Sequence, residues 1–179
     1  MEHYIISSGL REIIEGTAIA KDFTHIYASS FYYNEHGEPC WPAQVINYTN
    51  KTQFLFRIEK GILDINDNAV NDHFAEGELR VPFRNIVYIG DSATDIPCMR
   101  LVNSLGGHSV GVYDLENTAS KDTVRRMIRD ERIRYYVPAD YTKGSEMDIL
   151  IHRIIDKTAA YEVLEEKHLR DRKEAVAKY

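Results

Sequence analysis

Short apolar runs of the kind that form buried strands alternate with stretches of helical spacing along most of this chain. The clearest run is Ile86–Ile89, which Gly90 and Asp91 follow directly. The other predicted strands lie at 3–6, 25–33, 43–48, 109–113 and 134–138, and the predicted helices at 10–20, 52–60, 94–105, 118–130 and from Ser145 onward. Strands that alternate with helices pair mainly in parallel, because each helical crossover returns the chain to the same end of the sheet. The pattern predicts an α/β fold with helices flanking the sheet, plus a small β-hairpin.

Composition limits the classes of partner. The chain has 179 residues, of which 44% are hydrophobic and 28% charged, enough for one domain with a real core. A net charge of −6 argues against a nucleic-acid partner, since binding to phosphates needs a basic surface. The sequence contains no run of 18 apolar residues, so no membrane span is expected. The two cysteines, without CxxC spacing, fit a reducing compartment, so we expect a cytoplasmic protein.

Small polar residues follow the first predicted strand. Ser7, Ser8 and Gly9 stand between the apolar run at 3–6 and the first predicted helix. A serine hydroxyl and backbone N–H groups at the start of a helix can bind an anion. The alternative is that Ser7 or Ser8 only caps that helix.

Two carboxylates flank the turn that follows the clearest strand. Asp91 comes directly after Gly90, and Asp95 lies four residues later in the predicted first helical turn. Hard oxygen ligands at the tip of a strand suit Mg²⁺. The alternative makes Asp91 a turn former and Asp95 a surface residue that complements the helix dipole.

A lysine stands at the start of the next helix. Lys51 follows the predicted strand at 43–48, where its ammonium group could neutralise a phosphate. The alternative is an exposed lysine of no special role.

The order of these motifs resembles the haloacid-dehalogenase (HAD) superfamily, near its phosphoserine-phosphatase type. A strand followed by serine, then a lysine, then a strand followed by Gly-Asp-x-x-x-Asp spans roughly residues 3–156. The resemblance implies a Rossmann-like core, a small phosphorylated metabolite as substrate and Mg²⁺ as cofactor. It makes Ser7, Ser8, Gly9 and Lys51 phosphate-binding residues, and Asp91 and Asp95 the metal site. Ser92 stands where the family usually has glycine.

The nucleophile motif of that superfamily has no counterpart in this sequence. Its members carry Asp-x-Asp-x-Thr or Val after a first, central strand. The nearest string here, Asp64-Ile65-Asn66-Asp67, lacks the second aspartate at +2 and lies after the lysine instead of before the serine. The cap domain is missing as well. We therefore expect an incomplete core that is inactive alone. The strands at 4–6 and 86–89 would either pair directly or leave a gap for another chain.

The end of the chain is richly charged. We predict an incomplete HAD-like core over 1–156 and a charged helical extension over 157–179, with pairs such as Glu166/Arg170 spaced i,i+4. The alternative to an enzyme part is a non-catalytic module that binds phosphate and Mg²⁺ or has a regulatory role. Self-association, or a partner chain that supplies the missing strand, would complete it. A nucleotide-binding domain ranks last, because neither GxGxxG nor GxxxxGK[ST] occurs.

Overall fold

The computed structural model describes residues 1–176, with the side chain of Glu76 left out. The described chain divides into two compact units, the first running from Met1 to Asp72 and the second beginning at His73. Each unit contains one three-stranded sheet. The α/β class predicted from the sequence is confirmed. Short 3₁₀ helices occupy parts of the connections, at Ala20–Asp22, Asn68–Asn71, Glu76–Glu78, Phe83–Asn85 and Ala93–Asp95.

The first unit has a mixed sheet. Its strands and helices are β1 (Tyr4–Leu10), α1 (Arg11–Glu15), β2 (His25–Tyr33), β3 (Pro39–Gln44) and α2 (Lys51–Lys60). β2 is central, since it pairs in parallel with β1 and antiparallel with β3. The buried side chains between the sheet and α2 are Tyr27, Ile46, Phe54 and Ile58. The expected hairpin is thus present, although its return strand begins at Pro39 rather than at 43.

The strand β1 is longer than the sequence suggests. It continues through Ser7, Ser8 and Gly9 to Leu10, with a shift of register after Ile6. The predicted helix at 10–20 shrinks to α1, whose N-cap is Leu10 without a side-chain hydrogen bond. Neither serine therefore caps a helix, so the capping alternative is wrong. The bulge in the strand replaces the tight turn.

The second unit has a fully parallel sheet. Its strands and helices are β4 (Val87–Gly90), α3 (Ile96–Ser104), β5 (His108–Tyr113), α4 (Thr118–Arg129), β6 (Tyr135–Pro138) and α5 (Glu146–Val176). The strand order is β4-β5-β6, and every residue of β5 is buried. A central parallel strand is covered on both faces, so even His108 and Ser109 of β5 are buried. The core residues of this sheet and α5 include Val110, Val112, Val137, Met147 and Ile154.

The last helix begins where the sequence indicates. The Ser145 hydroxyl accepts a hydrogen bond from the Asp148 backbone N–H at 3.1 Å, and the Asp148 carboxylate accepts one from the Gly144 N–H at 2.8 Å. α5 then runs without a break across the predicted boundary at 156. No described helix has the length and apolarity that crossing a membrane requires.

β1 and β4 were expected either to pair with each other or to leave a gap. In the described chain β1 pairs only with β2, and β4 pairs only with β5. Direct pairing is therefore not found in the strand order of either sheet.

Candidate functional site

A cleft lies at the carboxyl ends of the strands of the parallel sheet. In an open α/β sheet this edge is where ligands usually bind, because the loops after successive strands meet there. The cleft has a volume of about 500 Å³. Its walls come from the ends of β4 and β5, the segments that follow them, the start of α4 and the loop after β6, namely Ile89, Gly90, Asp91, Val112, Tyr113, Asp114, Asn117, Ser120, Ala139 and Tyr141.

Asp91 is the most available acidic group of this cleft. It is exposed, follows β4 directly, and makes no hydrogen bond with any described residue. Burial, and then the negative charge of Asp91, raise the pKa of the Tyr141 hydroxyl. Asp91 thus presents a carboxylate to the cleft with its oxygens available to a cation.

Asp95 has a different environment. Its side chain is buried, one carboxylate oxygen accepts a hydrogen bond from the Tyr88 hydroxyl at 2.9 Å, and the other accepts one from the Ser92 hydroxyl at 3.0 Å. Burial, together with the neighbouring Cys98 and Asp95, raises the pKa of Tyr88 far above its ordinary value. Tyr88 consequently stays protonated and donates to Asp95. These bonds offset the cost of burying a carboxylate and fix the turn after β4.

Gly90 is needed for close packing. A Cβ atom at this position would lie 2.8 Å from the Cβ, Cγ and Oδ2 atoms of Asp95. The Asp95 side chain therefore lies directly against the Gly90 backbone. The Gly-Asp-x-x-x-Asp spacing has a packing reason, since the glycine admits the second aspartate.

The residues that sequence reasoning missed follow the neighbouring strands. Asp114 comes directly after β5, and its backbone N–H donates to the Ser120 hydroxyl at 3.2 Å. Asn117 caps α4 by accepting from the Ser120 N–H at 3.2 Å. A signal was available for Asp114, because it follows an apolar strand just as Asp91 does. No sequence signal pointed to Tyr141, because the conformation of the loop after β6 brings it to the cleft.

The serine segment of the first unit is tied to the segment before α2. The Ser7 hydroxyl accepts from the Gly9 N–H at 3.0 Å. The Ser29 hydroxyl donates to the Ser8 carbonyl at 3.2 Å and accepts from the Ile46 N–H at 3.0 Å. One side chain of β2 therefore joins the end of β1 to the chain that leads into α2.

Lys51 is buried, with only 6% of its surface exposed. It is the first residue of α2, and its backbone N–H donates to the Asn47 carbonyl at 3.1 Å. The expectation of an ordinary exposed lysine is wrong. Burying an ammonium group is costly unless polar or anionic groups surround it, so Lys51 occupies a polar niche of the fold.

The predicted site residues fall into the two units. Ser7, Ser8, Gly9 and Lys51 belong to the first, and Asp91 and Asp95 to the second. Within the described residues no three His, Cys, Asp or Glu side chains converge on a metal position. The donor set suits a hydrated cation, because Mg²⁺ commonly keeps several waters and binds one or two carboxylates with substrate phosphates. Asp91 fits as a direct ligand, and Asp95 fits as a support for the loop.

Comparisons with known proteins leave the family open. No family model matches the chain, and no solved structure matches it. A protein of Borreliella burgdorferi described as an uncharacterized protein is 25% identical over 158 residues, a stretch that covers 80% of this chain and 54% of that protein. The chain therefore spans about half the length of this relative.

Proposed function

We propose that this chain carries the Mg²⁺- and phosphate-binding part of a HAD-like phosphatase. In the complete protein the reaction would be hydrolysis of a phosphate monoester through an aspartyl-phosphate. The observation that carries the proposal is the loop after β4. There Asp91 offers an exposed carboxylate at the carboxyl end of a parallel strand, while the buried Asp95 is held by Tyr88 and Ser92.

Asp91 would bind Mg²⁺ directly, and water molecules would complete its coordination. When bound, the cation would supply a positive charge at this edge of the parallel sheet. Asp95 would keep the loop in one conformation, since a buried carboxylate with two donors has little freedom to move. The chain's own contribution is therefore a fixed Asp91.

The phosphate would be held by the residues of the first unit. The Ser7 and Ser8 hydroxyls supply donors, Gly9 holds Ser7 through its own N–H, and the Lys51 ammonium group supplies a positive charge. Donors and charges fixed before the reaction stabilise negative charge without reorganisation. The burial of Lys51 supports this role, because a buried cation interacts strongly with an anion.

No residue of this chain is assigned as the nucleophile. The 179 residues contain no Asp-x-Asp string. The residues named above bind and neutralise charge, and none of them is positioned to attack phosphorus. We therefore expect that the chain alone does not hydrolyse phosphate esters.

A second candidate is a non-catalytic module that a partner chain completes. Each sheet has two edge strands, and in each sheet one of them, β3 or β6, contains proline, which hinders the addition of another strand. β1 and β4 contain no proline and no charged residue, and in the described chain each pairs with one strand only. Strand addition at these edges would give such a module its partner.

The test is a titration of the 179-residue chain with MgCl₂ and with sodium phosphate, followed through its backbone amide resonances. We expect MgCl₂ to shift the resonances of residues 90–95, and Asp91→Asn to weaken that binding at least about tenfold, since a charged ligand is lost. Phosphate should shift residues 7–9 and 51, and Lys51→Gln should weaken its binding.

Each matched control removes the same charge at an exposed position outside the proposed sites. Asp122→Asn removes an exposed carboxylate of α4, and Lys21→Gln removes an exposed ammonium group. Neither should affect either ligand. An absence of Mg²⁺-dependent shifts near Asp91 would refute the metal site. Mg²⁺-dependent hydrolysis of p-nitrophenyl phosphate by the pure chain would show that a nucleophile has been overlooked.

A further inference from the structure

The cleft beside Asp91 extends well past the proposed metal position. About 500 Å³ is more than a hydrated cation needs, and it reaches from the end of β4 across β5 to the start of α4. No lysine or arginine is among its lining residues. The charged residues of the lining, Asp91 and Asp114, are acidic, so the part of a ligand that fills this space is neutral or cationic.

Two polar groups of the cleft wall keep unused bonding capacity. Asp114 Oδ1 accepts from the Glu116 N–H at 2.9 Å, while its Oδ2 has no partner among the described residues. Asn117 Oδ1 accepts from the Ser120 N–H, while its amide NH₂ has no partner there. One acceptor and one donor therefore stand three residues apart at the same edge of the sheet. Their other atoms are already fixed by the turn and by the helix cap.

The remaining wall is aromatic and apolar. Tyr141 is 66% exposed and Ile89 is 40% exposed, and both line the cleft. Val112 and Tyr113 form the end of the central strand beneath them. A ligand with one apolar face and several hydroxyl groups would match such a wall, because an aromatic ring packs against carbon–hydrogen faces and leaves the hydroxyls for the polar groups.

We infer that this cleft binds the hydroxyl-bearing, sugar-like part of a substrate, with Asp114 as acceptor for a vicinal diol. Asp114 follows the central strand directly, and its Oδ2 atom can accept hydrogen bonds from neighbouring hydroxyls. The Asn117 amide donates to a hydroxyl or ring oxygen, and Tyr141 covers the sugar face. The inference rests on the proposed function, since Asp91 then serves the metal and not the sugar.

That assignment of Asp91 decides between a polyol and an amine. With Asp91 bound to Mg²⁺, one carboxylate oxygen and one amide donor remain, a mixed pair. Hydroxyl groups both donate and accept, so they satisfy the mixed pair. An ammonium group only donates and would leave the Asn117 amide without an acceptor.

The probe is methyl β-D-ribofuranoside, a neutral diol, added to the full chain in MgCl₂ while amide resonances are recorded. We expect saturable shifts at residues 114–120 and 141. The 2-deoxy furanoside and the variant Asp114→Asn should each weaken binding about fivefold, the loss of one hydrogen bond. Asp114→Asn keeps the oxygen that accepts from Glu116, so the turn is retained. Asp122→Asn, on α4 but outside the cleft, should leave binding unchanged.

Three outcomes decide the matter. Equal binding of the two furanosides, or no shift with either while MgCl₂ shifts residues 90–95, overturns the inference and leaves the proposed function standing. Tighter binding of ethylammonium chloride than of the furanoside overturns the polyol assignment. Diol-dependent binding without any response to MgCl₂ supports the sugar site and refutes the metal role of Asp91.

Discussion

At the scale of single residues, the loop after β4 combines a buried carboxylate with a glycine that makes room for it. Asp95 receives one hydrogen bond from Tyr88 and one from Ser92. Ser92 also lies 2.7 Å from the Thr94 hydroxyl, so the network reaches the exposed side of the loop. A serine at this position therefore supports the turn and does not crowd it.

Gly90→Ala tests the close contact with Asp95. The added methyl group would lie 2.8 Å from three atoms of the aspartate. Overpacking of this kind usually costs about 1–3 kcal/mol, so urea unfolding should show a loss of stability in that range. The same change at Gly77, where a Cβ atom meets nothing within 4 Å, is the control and should have little effect. Equal stabilities for the two variants would contradict the packing role.

The environment of His108 leads us to expect that the free energy of unfolding depends on pH. The ring is buried, its Nδ1 atom has no hydrogen-bond partner within the described chain, and its Nε2 lies 3.5 Å from the Lys157 ammonium group. Burial, and then the charges of Lys157 and Arg134, lower the pKa of His108 below 6.5. The unfolded chain thus binds the proton more readily than the folded one. The stabilising effect of neutral His108 is complete above pH 6.5 and is lost as the pH falls through the lower, folded-state pKa.

The measurement is the free energy of unfolding between pH 7.5 and about 5. His108→Phe keeps an aromatic ring to stack on Tyr135, whose ring lies 5.9 Å away. It should flatten the decline toward acid pH. His36→Phe, in the exposed hairpin turn, should leave the decline unchanged. His25, whose pKa burial also lowers, should account for part of the slope that remains. An unaltered slope in His108→Phe would show that the folded state does not disfavour this proton.

At the scale of elements, α2 holds the connection that follows it. The helix ends at Gly61, whose φ of 75° lies in the left-handed region that glycine adopts freely. From inside the helix, the Arg57 guanidinium group donates to the carbonyls of Ile62, Asp64, Ile65 and Asp67. One turn later, Lys60 donates to the carbonyls of Val70 and Asp72. This polar segment has little strand or helix of its own, so two cations give it a fixed path.

Arg57→Met should remove the hydrogen bonds that hold the segment 62–67 in its conformation. Hydrogen bonds to a charged group contribute about 1.5–3 kcal/mol each, and several are lost together, so unfolding in urea should show a loss of at least about 2 kcal/mol. Amide exchange at residues 62–67 should accelerate. Arg11→Met removes an exposed ion pair with Glu15 and should cost at most about 1 kcal/mol. The idea fails if both variants lose the same stability.

The β1 segment shows how an element can differ from its sequence pattern. Ser7, Ser8 and Gly9 look like a turn, because small polar residues commonly end strands. In the structure Ser29 bonds to the Ser8 carbonyl and keeps the chain extended as a bulged strand. That hydrogen bond joins residues 21 positions apart, so local propensity could not predict it.

At the scale of the whole molecule, the chain is two α/β units with separate sheets. Each sheet is small, and each has one edge strand without proline, β1 in the first unit and β4 in the second. Edges of this kind are open to further pairing.

The sequence by itself determined what depends on local periodicity and on single residue types. The α/β class, the bounds of β2 and the start of the last helix after Ser145 follow from apolar spacing and from residues with one strong conformational preference. Only the tertiary structure decided the length of β1, the burial of Lys51, the network around Asp95 and the cleft that joins Asp91 to Asp114 and Tyr141. These features depend on contacts between distant segments, whose energies exceed the small local preferences that a sequence pattern reports.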